Sequence, residues 1–248
     1  MKMMIKAACL SDRGKVRGKN EDNFYFGGSC MPEANTGLRE PAYICRELGD
    51  GTWLAVFDGM GGERFGETAA FAAADEMRRQ CEQPPRAFAS EKDDIAHVCM
   101  ALNDAVVNTA KQQAIMHMGT TLAALYMTRR RVYVCNLGDS RVYRLHGRTL
   151  LQLSQDHVDG RPYPPRMQHL GIDPEELLIE PYIAKDRPVA GDCYLLCSDG
   201  LTDMLTDRQI ADIMTCTPGV KACAASLVRA ALDNGGRDNV TVIVCRID

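Results

Sequence analysis

The sequence predicts an α+β protein in which antiparallel sheets are covered by pairs of helices. Strand-like runs are short, and several are joined by hairpin signals such as His146-Gly147. Helical periodicity is confined to a few segments. The elements run as strands, two helices, more strands, two helices and a last strand. This order lacks the strict β-α-β alternation that a doubly wound parallel sheet requires.

Nine segments have the apolar runs typical of strands. In the third, Leu54 to Phe57 form a buried run that ends at Asp58 and a Gly-rich loop. A plain Asp-Gly turn is the alternative for Asp58. The predicted strands cover residues 4–10, 23–26, 53–57, 120–127, 132–136, 141–145, 149–153, 193–197 and 240–247.

Helical spacing of apolar residues is clearest in three segments. Ile95, Val98 and Leu102 share one stripe of the second. A shorter helix is predicted behind Thr206. The three long helices cover residues 66–80, 93–113 and 218–232.

Prolines concentrate in one part of the chain, which predicts a long surface excursion at about 158–190. No repeat, linker or low-complexity tract divides the sequence, so we expect a single domain over residues 1–248. Six of the eleven prolines lie in the excursion: Pro162, Pro164, Pro165, Pro174, Pro181 and Pro188.

Composition narrows the function classes. The formal net charge is −4, and the basic triplet Arg129 to Arg131 lies between two strands, which favours a solvated hairpin tip over a nucleic-acid site. No apolar run is long enough to span a membrane, and Lys6 interrupts any signal-peptide core. Eleven cysteines without a C-x-x-C motif indicate a reducing compartment. We therefore expect a cytoplasmic protein that binds neither membranes nor nucleic acid, and a monomer.

Acidic residues stand at the ends of several predicted strands. If these strands share sheets, four or five carboxylates meet at one rim, where they repel one another unless cations lie between them. Oxygen ligands suit Mg²⁺ or Mn²⁺, and the five histidines lack the spacing of zinc ligands. A pair of such ions activates water for phosphoryl displacement, so the chemistry indicated is hydrolysis. The acidic residues at these five strand ends, of which Glu21 and Asp22 share one, are Glu21, Asp22, Asp58, Asp139, Asp199 and Asp238.

Six short motifs follow one another along the chain: Arg17-Gly18-Lys19-Asn20-Glu21-Asp22, Phe57-Asp58-Gly59-Met60-Gly61-Gly62, Gly119-Thr120-Thr121, Leu137-Gly138-Asp139-Ser140-Arg141, Ser198-Asp199-Gly200-Leu201 and Asp238-Asn239-Val240-Thr241. In this order they resemble the motifs of the metal-dependent protein phosphatases, the PPM or type 2C family, of bacterial type. The resemblance implies a four-layer αββα sandwich, with two central antiparallel sheets flanked by helix pairs. It also implies a serine/threonine phosphatase whose metal-bridging water attacks phosphoserine or phosphothreonine directly, without a covalent phosphoenzyme.

The resemblance also implies a role for each site residue. Arg17 falls where the family holds the substrate phosphate. Glu21 and Asn239 lie outside the direct ligands, and Glu21 matches a position that acts through water. Two Mn²⁺ or Mg²⁺ ions, with a third that binds more weakly, are the implied cofactors. The two ions would be held by Asp22, Asp58, the Gly59 carbonyl, Asp199 and Asp238, and the third ion by Asp139, Asp199 and Asp203.

Two positions depart from the family pattern. Met60 stands where many members have a proton-donating histidine, and the flap-like segment at about 158–190 is short. The implied partners are phosphorylated proteins, substrates of a serine/threonine kinase.

Two other classes of protein are consistent with parts of this sequence. A haloacid-dehalogenase-like phosphatase would need a second aspartate at Met60 and would form an aspartyl phosphate. A non-catalytic pseudophosphatase would bind metal or phosphoprotein only, although every expected metal carboxylate is present.

Overall fold

Two antiparallel β-sheets form the centre of the fold. The computed structural model describes residues 3–49, 51–60, 65–83, 90–157 and 168–248. In chain order its strands are β1 (Met4–Asp12), β2 (Asp22–Tyr25), β3 (Ala42–Glu47), β4 (Thr52–Asp58), β5 (Leu122–Met127), β6 (Val132–Leu137), β7 (Arg141–His146), β8 (Thr149–Gln152), β9 (Tyr182–Asp186), β10 (Cys193–Cys197) and β11 (Val240–Ile247).

The strands divide into a six-stranded sheet, ordered β3-β1-β11-β10-β7-β8, and a five-stranded sheet, ordered β2-β4-β5-β6-β9. Successive side chains of a strand point to opposite faces of the sheet, so each sheet can bury both of its faces. In β4, Leu54 and Val56 face the core between the sheets, whereas Ala55 and Phe57 face helices. The apolar run that predicted this strand therefore serves two separate cores.

Helices cover the outer face of each sheet. The described helices are α1 (Gly66–Glu82), α2 (Glu91–Gln112), α3 (Asp199–Thr202), α4 (Asp207–Cys216) and α5 (Val220–Asp233). The first two pack on the five-stranded sheet, and α4 and α5 pack on the six-stranded sheet. This confirms the predicted four-layer αββα sandwich. Among the described helices, none has both the length and the apolar character needed to cross a membrane.

The predicted elements match the observed ones to within two residues at each end, but two strands and α3 were missed. Both missed strands are at sheet edges, since β3 pairs only with β1 and β9 only with β6.

The structure corrects the extent of the predicted surface excursion at about 158–190. Its second half contains β9, between Pro181 and Pro188, and Leu170 is fully buried and bridged to Thr120. Prolines are compatible with these positions because they flank an edge strand and remove no ladder hydrogen bond. Residues 158–167 of the excursion, which include Pro162, Pro164 and Pro165, lie outside the described residues.

Candidate active site

The predicted site residues lie where strands of both sheets end side by side. Asp22 begins β2 and Asp58 ends β4 in the five-stranded sheet. In the six-stranded sheet, Asp199 follows β10 and Asp238 precedes its antiparallel neighbour β11. The two sheets pack face to face, so the four carboxylates approach one end of the sandwich.

Asp22 and Asp58 are directly opposite each other in the β2–β4 ladder. Side chains at directly opposed positions have Cβ atoms about 5 Å apart, and like charges there are destabilising. This juxtaposition is a reason to expect a cation between the two carboxylates.

Asp22 is the most deeply buried of these carboxylates, with 1% of its surface exposed. Its Oδ2 accepts a hydrogen bond of 2.8 Å from Ser198 Oγ, whereas its Oδ1 has no hydrogen-bond partner among the described residues. Burial raises the pKa of Asp22 to about 7, and the hydrogen bonds from Thr241 and Ser198 offset only part of that effect. A buried, unpartnered carboxylate oxygen is costly unless a ligand occupies the space before it.

The pKa values of Asp58 and Asp199 are raised in the same way. Burial raises the pKa of Asp58 well above its usual range, and the charges of Asp22 and Asp199 raise it further. Burial also raises the pKa of Asp199 to about 6. Hydrogen bonding between Asp58 and Asp199 favours the protonated form of Asp58. Three neighbouring carboxyl groups thus resist ionisation together, which a divalent cation would reverse.

Gly59 is required by close packing beside Asp58. A Cβ added to Gly59 would lie 2.3 Å from the Gly66 carbonyl oxygen and 2.6 Å from that of Glu21. The bridge to Thr120 uses the Asp58 carbonyl and the Met60 N–H, so the Gly59 carbonyl takes no part in that pair of hydrogen bonds. Among the described residues, no backbone N–H donates to this carbonyl, which leaves it the acceptor capacity that the resemblance implies.

Arg17 lies against the carboxylate cluster. Its Nη2 donates a hydrogen bond of 2.5 Å to Asp238 Oδ2, and the nearby charges of Glu21 and Asp58 further raise the pKa of the guanidinium. The Arg17 side chain is 39% exposed, so it can also reach a ligand from solvent.

Asn239 fixes the loop that carries Arg17. Its side-chain oxygen accepts from Glu21 N at 2.7 Å, and its Nδ2 donates to the carbonyls of Arg13 and Lys19 at 2.7 and 2.8 Å. Asn239 therefore stabilises the β1–β2 loop and does not face the cluster. Glu21 is half-buried, and burial, with the Glu67 charge, raises its pKa.

The residues predicted to bind a third, weaker metal ion are more exposed to solvent than Asp22. Asp139 is half-buried in the turn between β6 and β7, and Asp203 is exposed behind α3. Burial raises the pKa of Asp139, and the charges of Asp156 and Asp203 add to the effect. Asp139 in turn raises the pKa of Asp199, so these carboxylates are close enough to interact.

Several hydroxyl side chains that support the carboxylates were not predicted. Ser198 Oγ accepts from Thr241 N at 2.9 Å while it donates to Asp22. Thr121 Oγ1 accepts from Asp58 N at 3.1 Å and pairs with Ser140 Oγ at 2.7 Å. Ser198, Thr121 and Ser140 each stand directly beside the end of a strand, next to or near a predicted site aspartate, and this position was the signal that could have revealed them.

Among the residues that the structure describes, no three Asp, Glu, His or Cys side chains already surround a single point as metal ligands do. Asp238 instead contacts Arg17, and Asp22 Oδ2 contacts Ser198. The donor set nevertheless fits Mg²⁺ or Mn²⁺, because it consists of oxygens only and includes the unpartnered Asp22 Oδ1.

Comparison with known proteins agrees with this geometry. The family model described as "Protein phosphatase 2C" matches residues 39–234. The chain is 31% identical over 261 residues to "Serine/threonine protein phosphatase PstP" of Mycobacterium tuberculosis, covering 99% of this chain and 45% of the relative. It is 28% identical to "Serine/threonine phosphatase stp" of Listeria welshimeri, covering 97% of this chain and 95% of the relative.

Among solved structures, the catalytic domain of PstP "in complex with 2 Manganese ions" superposes with a TM-score of 0.79 at 30% identity, covering 99% of both chains. The chain thus spans about half the length of its PstP relatives and almost all of the PstP catalytic domain. The family model and these full-length matches of the chain lead to one conclusion: the chain belongs to the protein phosphatase 2C family.

Proposed function

We propose that this protein is a metal-dependent serine/threonine protein phosphatase that hydrolyses phosphoserine and phosphothreonine monoesters by direct attack of water, without a covalent phosphoenzyme. The observation that carries this proposal is the carboxylate pair formed by buried Asp22 and half-buried Asp58, in which one Asp22 oxygen has no partner among the described residues. Serine/threonine phosphatase activity is named for the relatives, and two manganese ions are named for the PstP catalytic domain.

The candidate metal ligands are Asp22, Asp58, the Gly59 carbonyl, Asp199 and Asp238. Bound Mn²⁺ or Mg²⁺ supplies Lewis acidity and lowers the pKa of water, which phosphomonoester hydrolysis requires. Asp139, Asp199 and Asp203 are the proposed ligands of a third, weaker ion.

The chain's own residues position the substrate. Arg17 is the proposed phosphate ligand, because its planar guanidinium can donate to two phosphate oxygens. Asn239 holds the loop on which Arg17 lies, and the Thr121–Ser140 pair fixes the backbone of Asp58. Phosphate binding therefore depends on residues from both sheets.

The substrates we propose are proteins phosphorylated by a serine/threonine kinase, since the relatives are named serine/threonine phosphatases. We also propose one catalytic domain over residues 1–248, a monomer, and a cytoplasmic location. The location is supported by the composition, in which eleven cysteines form an odd set without C-x-x-C spacing.

Removal of single ligands tests the site. Asp58→Ala and Asp238→Asn should each lose most turnover on a phosphothreonine peptide, with metal not in excess. Metal-free Asp58→Ala should melt no lower than wild type because a charge repelled by Asp22 and Asp199 has gone. The exposed aspartate Asp212 offers a matched control, since Asp212→Asn should keep wild-type turnover. Near wild-type turnover in Asp58→Ala or Asp238→Asn would refute the ligand assignment.

A further inference from the structure

A second concave site lies at the other end of the five-stranded sheet. A cavity of about 980 Å³ opens at the turn between β5 and β6, beside the start of α2 and the strand β9. Strands rise about 3.4 Å per residue, so β5 separates this cavity from Thr121 by roughly 20 Å. The cavity is therefore separate from the carboxylate cluster.

The lining of this cavity is strongly basic. It has a net charge of +4, although the whole chain has a net charge of −4. Glu91 is the one carboxylate among the described lining residues. The cationic side chains are Lys92, Arg129, Arg130, Arg131 and Lys185.

Two of the five cations have partners already. Arg131 contacts Glu91 at 2.7 Å, and Arg129 donates to the Leu48 carbonyl at 3.0 Å and lies 3.4 Å from a Glu47 oxygen. The other three are exposed and make no ion pair with any described residue: Lys92, Arg130 and Lys185. These three charges line a common space, in which Glu91, the partner of Arg131, also attracts Lys185.

Hydrogen bonds fix the β5–β6 turn and the start of α2, which carry most of these charges. Thr128 Oγ1 accepts from Arg131 N at 3.1 Å, and Thr128 N donates to the Arg131 carbonyl at 2.8 Å, which sets the turn. Glu91 Oε2 also accepts from the Tyr133 hydroxyl at 2.9 Å, linking α2 to β6. The basic triplet does lie at a hairpin tip, as predicted, but it lines a cavity and is not simply solvated.

We propose that this cavity binds an organic polyphosphate, specifically a nucleoside diphosphate or triphosphate. Three cations that make no ion pair with a described residue match the charge of such a ligand better than that of a monophosphate, and guanidinium groups suit paired phosphate oxygens. The cavity volume is in the range of small-molecule sites. Ile183, Ala184 and Tyr133 add apolar surface against which a base can pack.

Calorimetric titration of the full chain with ADP and ATP, in chelator and low salt, tests this site without reference to phosphatase activity. The double variant Arg130→Ala/Lys185→Ala should weaken binding tenfold or more. Arg148→Ala, which removes an exposed arginine at the β7–β8 hairpin, should leave the affinity unchanged. Arg17→Ala should also leave it unchanged, because Arg17 lies at the opposite end.

Four further measurements sharpen the test. The charge-preserving double variant Arg130→Lys/Lys185→Arg should retain binding. The variants at Arg130, Lys185 and Arg148 should melt as wild type does because these side chains are exposed. Pyrophosphate should bind more weakly than ADP if packing of the base against Ile183, Ala184 and Tyr133 contributes to the affinity. Phosphopeptide turnover in the absence of nucleotide should not change in the double alanine variant.

Specific outcomes would overturn the proposal. They are absence of ADP and ATP binding to the wild type, equal affinity in the double alanine variant, or loss of binding in Arg17→Ala alone. Binding of a polyglutamate peptide that ATP cannot displace would assign the cavity to acidic protein segments instead.

Discussion

Arg17 and Asp238 are joined by a 2.5 Å hydrogen bond that links the β1–β2 loop to the residue two positions before β11. The proposed phosphate ligand and a proposed metal ligand therefore engage each other. A cation held by Asp238 would weaken the attraction of this carboxylate for the guanidinium, which would leave Arg17 available to phosphate.

Replacement of Arg17 should affect substrate binding more than turnover. A charged hydrogen bond contributes about 1.5–3 kcal/mol, so we expect Arg17→Ala to raise KM about tenfold or more, with a smaller fall in kcat. Steady-state kinetics on a phosphothreonine peptide measure both constants.

Lys15→Ala is the control for Arg17, because it removes an exposed cation from the same loop. It should leave KM close to the wild-type value. If Arg17→Ala changes metal affinity and leaves KM unchanged, Arg17 serves Asp238 and does not hold phosphate.

Ser198 should be needed for metal affinity as well as for stability. Ser198→Ala leaves the buried Thr241 N–H and Asp22 Oδ2 without this partner, which we expect to lower stability by about 1–3 kcal/mol. It should also weaken Mn²⁺ binding by about 10–100-fold, as loss of a ligand-supporting hydrogen bond does. Chemical denaturation and calorimetry measure the two effects.

Ser154→Ala provides the matched control for Ser198. Ser154 is a buried serine whose Oγ accepts from Val142 N at 2.9 Å, away from the predicted ligands. It should cost similar stability and leave Mn²⁺ affinity unchanged. Equal Mn²⁺ affinities in the two variants would show that Ser198 is purely structural.

Replacement of Asp139 should lower turnover without lowering stability. Because burial raises the pKa of this carboxyl, its removal relieves a cost, and Asp139→Ala should keep near-native melting and two tightly bound ions. We expect turnover to fall at least about tenfold, a barrier change of ~1.4 kcal/mol. By contrast, Asp156→Ala removes the 2.7 Å partner of Arg141 and should lower the melting temperature. A destabilised Asp139→Ala with wild-type turnover would make Asp139 a turn residue only.

The stability of the metal-free protein should fall as pH rises through the window set by the carboxylates. Between the ordinary aspartate pKa near 4 and the folded values of about 6 for Asp199 and about 7 for Asp22, the folded protein holds more protons than the unfolded chain. The contribution of these two groups to stability is thus largest below this window and declines toward pH 8.

Asp22→Asn isolates this effect, because it keeps His157 and His169, whose pKa values burial lowers and which act in the opposite direction. In chelator at pH 8 the variant should melt above wild type, and the difference should shrink as pH falls to 6. A difference that stays constant with pH would contradict the raised pKa of Asp22.

Most of the fold was predictable because its strands and helices have strong patterns of their own. The strands β10 and β11 were placed at their observed bounds from their apolar runs. By contrast, β3 has alternating half-exposed residues, and β9 lies between two prolines. These edge strands are specified by pairing with a neighbour, which a local pattern does not report.

The site was predictable for a different reason. Strand-end aspartates and their motif order identify the carboxylates without any knowledge of distances. Ser198, however, donates a hydrogen bond to Asp22, which lies 176 positions away in the sequence. Asn239 likewise donates to the carbonyl of Lys19, which lies 220 positions away. Such contacts are created only when the two sheets pack, so the sequence alone did not indicate them.

Phosphate release from a phosphothreonine peptide, measured before chelation, after chelation and after Mn²⁺ is restored, tests the central claim most directly. The account predicts that turnover disappears when divalent ions are removed and returns when Mn²⁺ is added back, with the fold intact throughout by circular dichroism. Turnover that persists in excess chelator would contradict the proposal that the buried aspartates act by holding metal ions.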